Sequence, residues 1–433
     1  MTLKEYTGGE NLDLRDALLL GKKLNVRERI KFFAQFIDDL QKNNQCLYMR
    51  RIDGATDREV VVIDGTSGMK QTMLMFGSNN YLGLANHSYV KEYVQNVISE
   101  YGVGVGGPPL LNGYTTLHHT LEKRLSSFKK KEDTIIFSSG YSTNIGILSA
   151  LLNKGDIVLH DKYCHASFID GLQMSKATSF HFEHNDVSHL ELLLQKNASY
   201  EKDLFVAVEG VYSMDGDLAR LDEIVPLCKK YGALIILDDA HGTGVFGDNG
   251  RGTAEHFGVQ DDIDITVGTF SKAFSAVGGF VSGSKDIINY LRFFARSYMF
   301  SASLPPPTLA AVLAGLDILE HEADLLEKLH NNIAYAKQMF KEIGIDISTI
   351  SPIIALIVPV GMNIREAAYH FHKKGIFVNS IEYPAVPVNQ QRFRISLMAT
   401  HTKKDIDMLI ACVDEVWHTY GEGQMERPVS INI

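Results

Sequence analysis

Between residues 134 and 283, seven short apolar runs follow one another, and the gaps are filled largely by helical patterns. The runs are TIIFSS (134–139), DIVLHD (156–161), TSFHFE (178–183), LFVAVEG (204–210), ALIILDD (233–239), DITVGT (264–269) and GGFVSG (278–283). Stretches such as STNIGILSALLNKG and RLDEIVPLCKKYG separate them. A strand that is apolar along its length needs cover on both faces, and parallel neighbours are joined by crossover helices. The alternation predicts an α/β fold with a mostly parallel sheet between helices. Ligands of such sheets bind at the carboxyl ends of the strands. Residues 1–70 read as an N-terminal helical arm with short strands around EVVVIDG. Residues 71–310 read as the large α/β domain, and residues 311–433 as a small C-terminal α+β domain containing IIALIVPV and RFRISL. The tail GEGQMERPVSINI reads as loosely held.

Several function classes are disfavoured. The formal net charge of −10 argues against a nucleic-acid binder. The mixed run KKKEDT (129–134) reads as a solvated loop. Cys46, Cys164, Cys228 and Cys412 form no CxxC pair, which fits a reducing cytoplasm and no disulfide or zinc framework. The acidic start MTLKEYTGGENLD does not read as a secretory signal, and no window has the length of an integral membrane span, leaving peripheral contact open. GVGVGG (102–107) follows a helical pattern instead of a strand, so it reads as a loop beside a ligand and not as a dinucleotide fingerprint. His370 and His372 of HFH fall on different sides of a helix, and no metal site is expected.

The strand ends carry the chemistry. LIILDDAHGTG places Asp238, Asp239 and His241 where an apolar strand stops. VLHDKYCHAS does the same with His160 and His165, and VAVEGVYSMDGD with Glu209 and Ser213. In IIFSSGYSTN a strand gives way to a helix at Ser139, Gly140 and Tyr141, and the free N–H groups of a helix start are a natural phosphate seat. GTFSKAFSAVGGF (268–280) sets Lys272 among small and hydroxyl residues, including Thr269 and Ser271. Most lysines are solvated, but a half-buried one titrates low and condenses with carbonyls. A pyridine aldehyde phosphate would use all of these groups: phosphate on the helix start, aldehyde on Lys272, protonated ring nitrogen beside Asp238.

Taken in order, NNYLGL, LNGYTTLHHTLE, FSSGYSTN, HDKYCHASFIDG, EGVYSMDGD, DDAHGTGVFG, GTFSKAFSAVGG, FSASLPP and PAVPVNQQRFRISLMATHT resemble the motifs of the α-oxoamine synthases over about residues 40–420. The resemblance implies pyridoxal phosphate (PLP) as cofactor. It also implies the type I fold of PLP-dependent transferases, with a seven-stranded sheet. Carried over by motif, Lys272 would be the Schiff-base lysine and the acid/base at the α-carbon. Asp238 would pair with the pyridinium nitrogen, His241 would contact the ring hydroxyl and His165 would stack on the ring. Ser139, Gly140 and Tyr141 would surround the phosphate, with Thr269 and Ser271 nearby. Glu209, Ser213 and Asn79 would line the pocket, and Arg394 would hold the substrate carboxylate. SASLPP (301–306) would reach a neighbouring subunit's phosphate site through Ser301 or Ser303, since Ala302 stands where the family can carry threonine; a cytoplasmic homodimer is implied.

Members of the family join an amino acid to an acyl thioester with loss of CO₂. The motifs here are most similar to those of bacterial serine palmitoyltransferases, which implies serine and a long acyl chain on CoA or a carrier protein, giving 3-oxosphinganine. Pro108 and Pro109 stiffen a loop expected to border the amino-acid pocket, so glycine, alanine or cysteate remain alternatives. A non-catalytic subunit of a synthase complex would be expected to lack the lysine.

Overall fold

A computed structural model describes residues 14–65, 67–198 and 202–421. The start MTLKEYTGGENLD and residues 422–433 of the tail lie outside the described residues. After the helices Leu14–Gly21 and Val26–Lys42 come three strands: β1 (Arg51–Ile52), β2 (Glu59–Ile63) and β3 (Lys70–Met75). The seven apolar runs form β4 (Asp133–Phe137), β5 (Ile157–Asp161), β6 (Thr178–Phe182), β7 (Leu204–Glu209), β8 (Leu234–Asp238), β9 (Ile265–Thr269) and β10 (Gly279–Gly283). They make one sheet in the order β4-β10-β9-β8-β7-β5-β6. From β9 to β6 every pairing is parallel. Only β10 runs antiparallel, between β9 and β4.

Each face of this sheet has its own apolar layer. Phe205, Ala207, Ile236 and Val267 pack with Ile147 and Leu148 of the helix Gly140–Leu151. Val206, Val208, Ile235 and Leu237 pack on the other side with Leu190, Leu194, Ile224 and Val225, from the helices Val187–Asn197 and Leu221–Tyr231. Burying a side chain of this size is worth about 1.5–3 kcal/mol, so the double layer is what fixes the strand ends in space.

The remaining strands are β11 (Ile353–Ile357), β12 (Ile376–Phe377), β13 (Asn379–Ile381) and β14 (Arg392–Ser396). β11, β14 and β13 form an antiparallel sheet. β12 pairs in parallel with β3, so the N-terminal strands and the C-terminal segment share one sheet. The run from residue 306 to 342 divides at Glu322 into two helices, Pro306–His321 and Ala323–Glu342. Among the described residues, no helix is long and apolar enough to cross a membrane.

Candidate active site

Strand parity decides which polar side chains meet, because successive residues of a strand face opposite ways. Ala207, Ile236 and Val267 lie in the layer under the helix Gly140–Leu151. Two residues further along the same face come Glu209, Asp238 and Thr269, each buried at a strand's carboxyl end. Glu209 and Asp238 are direct register partners.

Asp239 faces the opposite layer. There it receives Lys129 Nζ at 3.0 Å, and the same ammonium donates to Thr243 Oγ1 at 2.7 Å. KKKEDT is therefore not a solvated loop. Lys129 is 2% exposed, and Lys131 donates to the carbonyls of Gln260 and Ile263. The reason is compensation: a buried carboxylate needs a cation, and Lys129 supplies it. His160 also stays out of the pocket, buried with Nδ1 2.9 Å from the carbonyl of Asp161.

His165 reaches the pocket from a pinned turn. It caps the helix Ala166–Met174, with Nδ1 accepting from Ser167 N at 3.2 Å, so its ring proton sits on Nε2. The turn before it is held by Asp161, which accepts from Tyr163 N at 2.8 Å. His184 lies between Asp161 (3.0 Å) and Asp217 (2.9 Å) and stacks on Tyr163 with ring centroids 4.3 Å apart. Burial opposes charge on His184, but the two carboxylates hold it protonated up to about 10.

A second cluster joins His241 to Arg394. Tyr81 Oη is 2.7 Å from His241 Nδ1 and 3.2 Å from Asn79 Oδ1. Arg394 donates to Asn79 Oδ1 at 2.9 Å, to Ser396 Oγ at 3.1 Å and to the carbonyl of Ser213 at 2.6 Å. Arg394 is only 4% exposed, so it is not an ordinary surface strand arginine. The structure thus brings Asn79, Ser213, His241 and Arg394 together from four separate segments of the chain.

Lys272 follows β9 directly, and its amine is shaped by these neighbours. Burial first, and then the Arg394 guanidinium, lower it to about 8, against the opposing pull of Asp238 and Glu209. Burial, Lys272 and Arg394 push His241 well down, so it is neutral. Burial raises Glu209 strongly, and the nearby Asp238 adds to the effect. Burial also raises Asp238, against a hydrogen bond from Asn144. Because a lysine becomes nucleophilic on losing its proton, Lys272 should gain reactivity as pH rises through about 8. Acetylation of the cofactor-free chain, read at Lys272 by peptide mass spectrometry across pH, is expected to show that midpoint. A midpoint near the ordinary lysine value of about 10.4 would contradict it.

The start of the helix Gly140–Leu151 is the candidate anion seat, since helix N-termini suit negative charge. Ser139 caps it by accepting from Ser142 N at 3.0 Å. A Cβ on Gly140 would stand 3.0 Å from Thr269 Oγ1, so glycine is what lets the helix start approach β9. Thr269 Oγ1 lies 2.9 Å from Ser271 Oγ, which puts two hydroxyls beside the helix start. The Tyr141 side chain is 45% exposed and bonds Asp170, so only its backbone belongs to the seat. Ser301 lies with Ser303 and Tyr298 along a small cavity bordered by Ser138.

Residues 71–413 match the family of class I and II aminotransferases. Serine palmitoyltransferase of Bacteriovorax stolpii is 39% identical over 373 residues, 86% of this chain and 88% of that protein. 8-Amino-7-oxononanoate synthase of Petrotoga mobilis is 38% identical over 395 residues, 90% of this chain and 99% of that one. The chain is an α-oxoamine synthase of that aminotransferase family. A serine palmitoyltransferase structure from S. paucimobilis, with a bound PLP–myriocin aldimine, superposes with a TM-score of 0.86 at 30% identity, covering 92% of this chain and 100% of that one. As an α-oxoamine synthase the chain uses PLP, and its reaction class is decarboxylative condensation of an amino acid with an acyl thioester. Its residues fit that cofactor. Asp238 receives hydrogen bonds from neutral groups, Asn144 and the Ala240 N–H, and Glu209 Oε1 is buried with no partner.

Asn144, Ser167, Tyr81 and His184 were not singled out by sequence reasoning. The first three lie inside FSSGYSTN, HDKYCHAS and NNYLGL, motifs that the sequence does single out. Their partners are distant in the chain, so the motif text alone gives them no task.

Proposed function

We propose that this α-oxoamine synthase condenses serine with a long-chain acyl thioester, releasing CO₂, the free thiol and 3-oxosphinganine. One observation carries the site assignment: Lys272, with its amine lowered to about 8, lies at the strand ends under the influence of Asp238, Glu209 and Arg394. PLP, when bound, supplies an electron sink for the carbanion at the amino acid's α-carbon. Lys272 would hold the cofactor through its amine, and the freed amine would take the α-proton and later return one. Asp238 keeps the ring nitrogen protonated by placing a buried negative charge beside it. His241, neutral and fixed by Tyr81, would contact the ring hydroxyl, and His165 would cover the ring face. The seat formed by Ser139, Gly140, the Tyr141 backbone, Thr269 and Ser271 takes the phosphate. Arg394, its plane set by Ser213 and Asn79, would grip the carboxylate and, with His165, would set which α-carbon bond is exposed to cleavage.

The choice of serine rests on the motifs around Ser213, Lys272 and Ser303. The comparable identity to an 8-amino-7-oxononanoate synthase supports a second reading, the same reaction on alanine with a shorter acyl thioester. A panel of serine, alanine, glycine and cysteate against acyl-CoA chain lengths, scored by thiol release, separates the two. Highest kcat/KM with serine and a long chain supports the first; preference for alanine overturns it. On this assignment Arg394→Ala is expected to raise KM for the amino acid about ten- to a hundredfold and leave PLP retention intact. Unchanged amino-acid affinity would take Arg394 out of the site.

Two exposed surfaces support finer expectations. Phe293, Phe294 and Phe300, just before SASLPP, are each more than half exposed, as a face covered by a second copy would be. Val26, Ile30 and Phe33 are exposed on one face of the helix Val26–Lys42 beside Arg27 and Lys31, which suits peripheral contact with an anionic bilayer in the cytoplasm.

A further inference from the structure

Two of the groups proposed to touch the cofactor are tied to each other through two side chains given no cofactor or substrate role above, Asn144 and Ser167. Asn144 lies one turn inside the helix Gly140–Leu151 and is 2% exposed. Its Nδ2 donates at 2.8 Å to Asp238 Oδ2 and at 2.9 Å to Ser167 Oγ. Ser167 Oγ in turn lies 2.7 Å from His165 Nδ1. The amide orientation is forced, since a carboxylate accepts and cannot donate. Both amide protons are therefore used, one on the carboxylate and one on the hydroxyl that meets the imidazole. Among the described residues Asp238 accepts one other hydrogen bond, from the Ala240 N–H at 3.2 Å, so Asn144 supplies the shorter of two restraints on its rotamer.

We infer that Asn144 is a positioning residue. It straps the carboxylate proposed for the ring nitrogen to the imidazole proposed for the ring face, so that both edges of the ring site are set by one amide. The inference rests on the ring-nitrogen role given above to Asp238. It has a physical basis in the buried setting: a donor lost next to a buried carboxylate leaves that charge uncompensated.

The test titrates the cofactor-free full-length chain with PLP and follows absorbance to obtain a dissociation constant, beside melting temperature and amino-acid KM. Asn144→Asp keeps the shape but replaces the donor with an acceptor facing Asp238. It is expected to weaken PLP binding about ten- to a hundredfold, the size of a hydrogen bond to a charged group. Ser167→Ala spares the bond to Asp238, so it is expected to leave PLP affinity within about twofold and to raise amino-acid KM through His165. The exchange Asn144→Asp with Asp238→Asn re-forms a side-chain bond with donor and acceptor reversed. It is expected to restore the melting temperature and not the PLP affinity. Recovery of affinity in that double variant would show a purely structural role and overturn the inference. So would parental PLP affinity in Asn144→Asp, or unchanged KM in Ser167→Ala, a reading still available if the Asn144 variants do not fold. Asp238→Asn alone separates the two levels: if it binds PLP with a parental spectrum and affinity, the ring-nitrogen assignment fails first. If it is impaired and Asn144→Asp is not, only the strap fails.

Discussion

Lys272→Ala is expected to abolish turnover, with a fall of about four orders of magnitude or more. Two losses combine in that figure. General acid–base catalysis by a positioned group is worth about 10²–10⁴ in rate, and the covalent anchor of the cofactor disappears with the same atom. The half-buried amine cannot be replaced from solvent in the same geometry. Thiol release from amino acid and acyl-CoA measures the loss. Borohydride treatment of the parent with PLP should label one peptide, the one containing Lys272, and should label nothing there in the variant. Residual turnover within tenfold of the parent would move the chemistry to another lysine. Lys129, also buried, would be the wrong candidate, because Asp239, Thr243 and Arg251 occupy its three protons.

Asp238→Asn is expected to give a folded protein with turnover reduced about a hundred- to several thousandfold. Breaking a buried charge pair by removing one partner costs about 3–5 kcal/mol, and each 1.36 kcal/mol is a tenfold change in rate. The substitution keeps volume and lies at the end of β8, away from the apolar layers, so circular dichroism should match the parent. Without substrate, the neutral side chain removes a charge that burial disfavours, so the melting temperature should not fall. Near-parental kcat would refute the electron-sink role of this carboxylate.

Much of this could be read from residue order. Most of the seven strands were legible as continuous apolar runs, and the crossover helices pointed to the parallel pairing seen from β9 to β6, whereas the exposed edge strand β6 (TSFHF) and the antiparallel β10 carry a weaker signal. Lys272, Asp238 and His241 stood out because polar residues closely following such a run lie at the binding edge. What was hidden depended on distant partners. Asn144 looks like any polar residue in a helix until Asp238, 94 positions later, is placed beside it. Lys129 belongs to a charged run whose composition is that of a surface, yet its partner is 110 positions away. The pairing of β12 with β3 joins segments some three hundred residues apart, and two residues of strand carry no periodic signal. His184 was hidden in the same way, since its two carboxylates come from the end of β5 and from the turn after β7.

Asp238 and Asp239 are adjacent in the chain and serve different halves of the molecule. A single-residue slip of β8 that put Asp239 in Asp238's place would offer the scaffold's anion to the ligand, drive Asp238 among aliphatic side chains where Leu237 belongs, and leave Lys129 unmatched. Assembly and reactivity are thereby keyed to the same alignment: a misthreaded copy would be unable to fold soundly and would equally be unable to act.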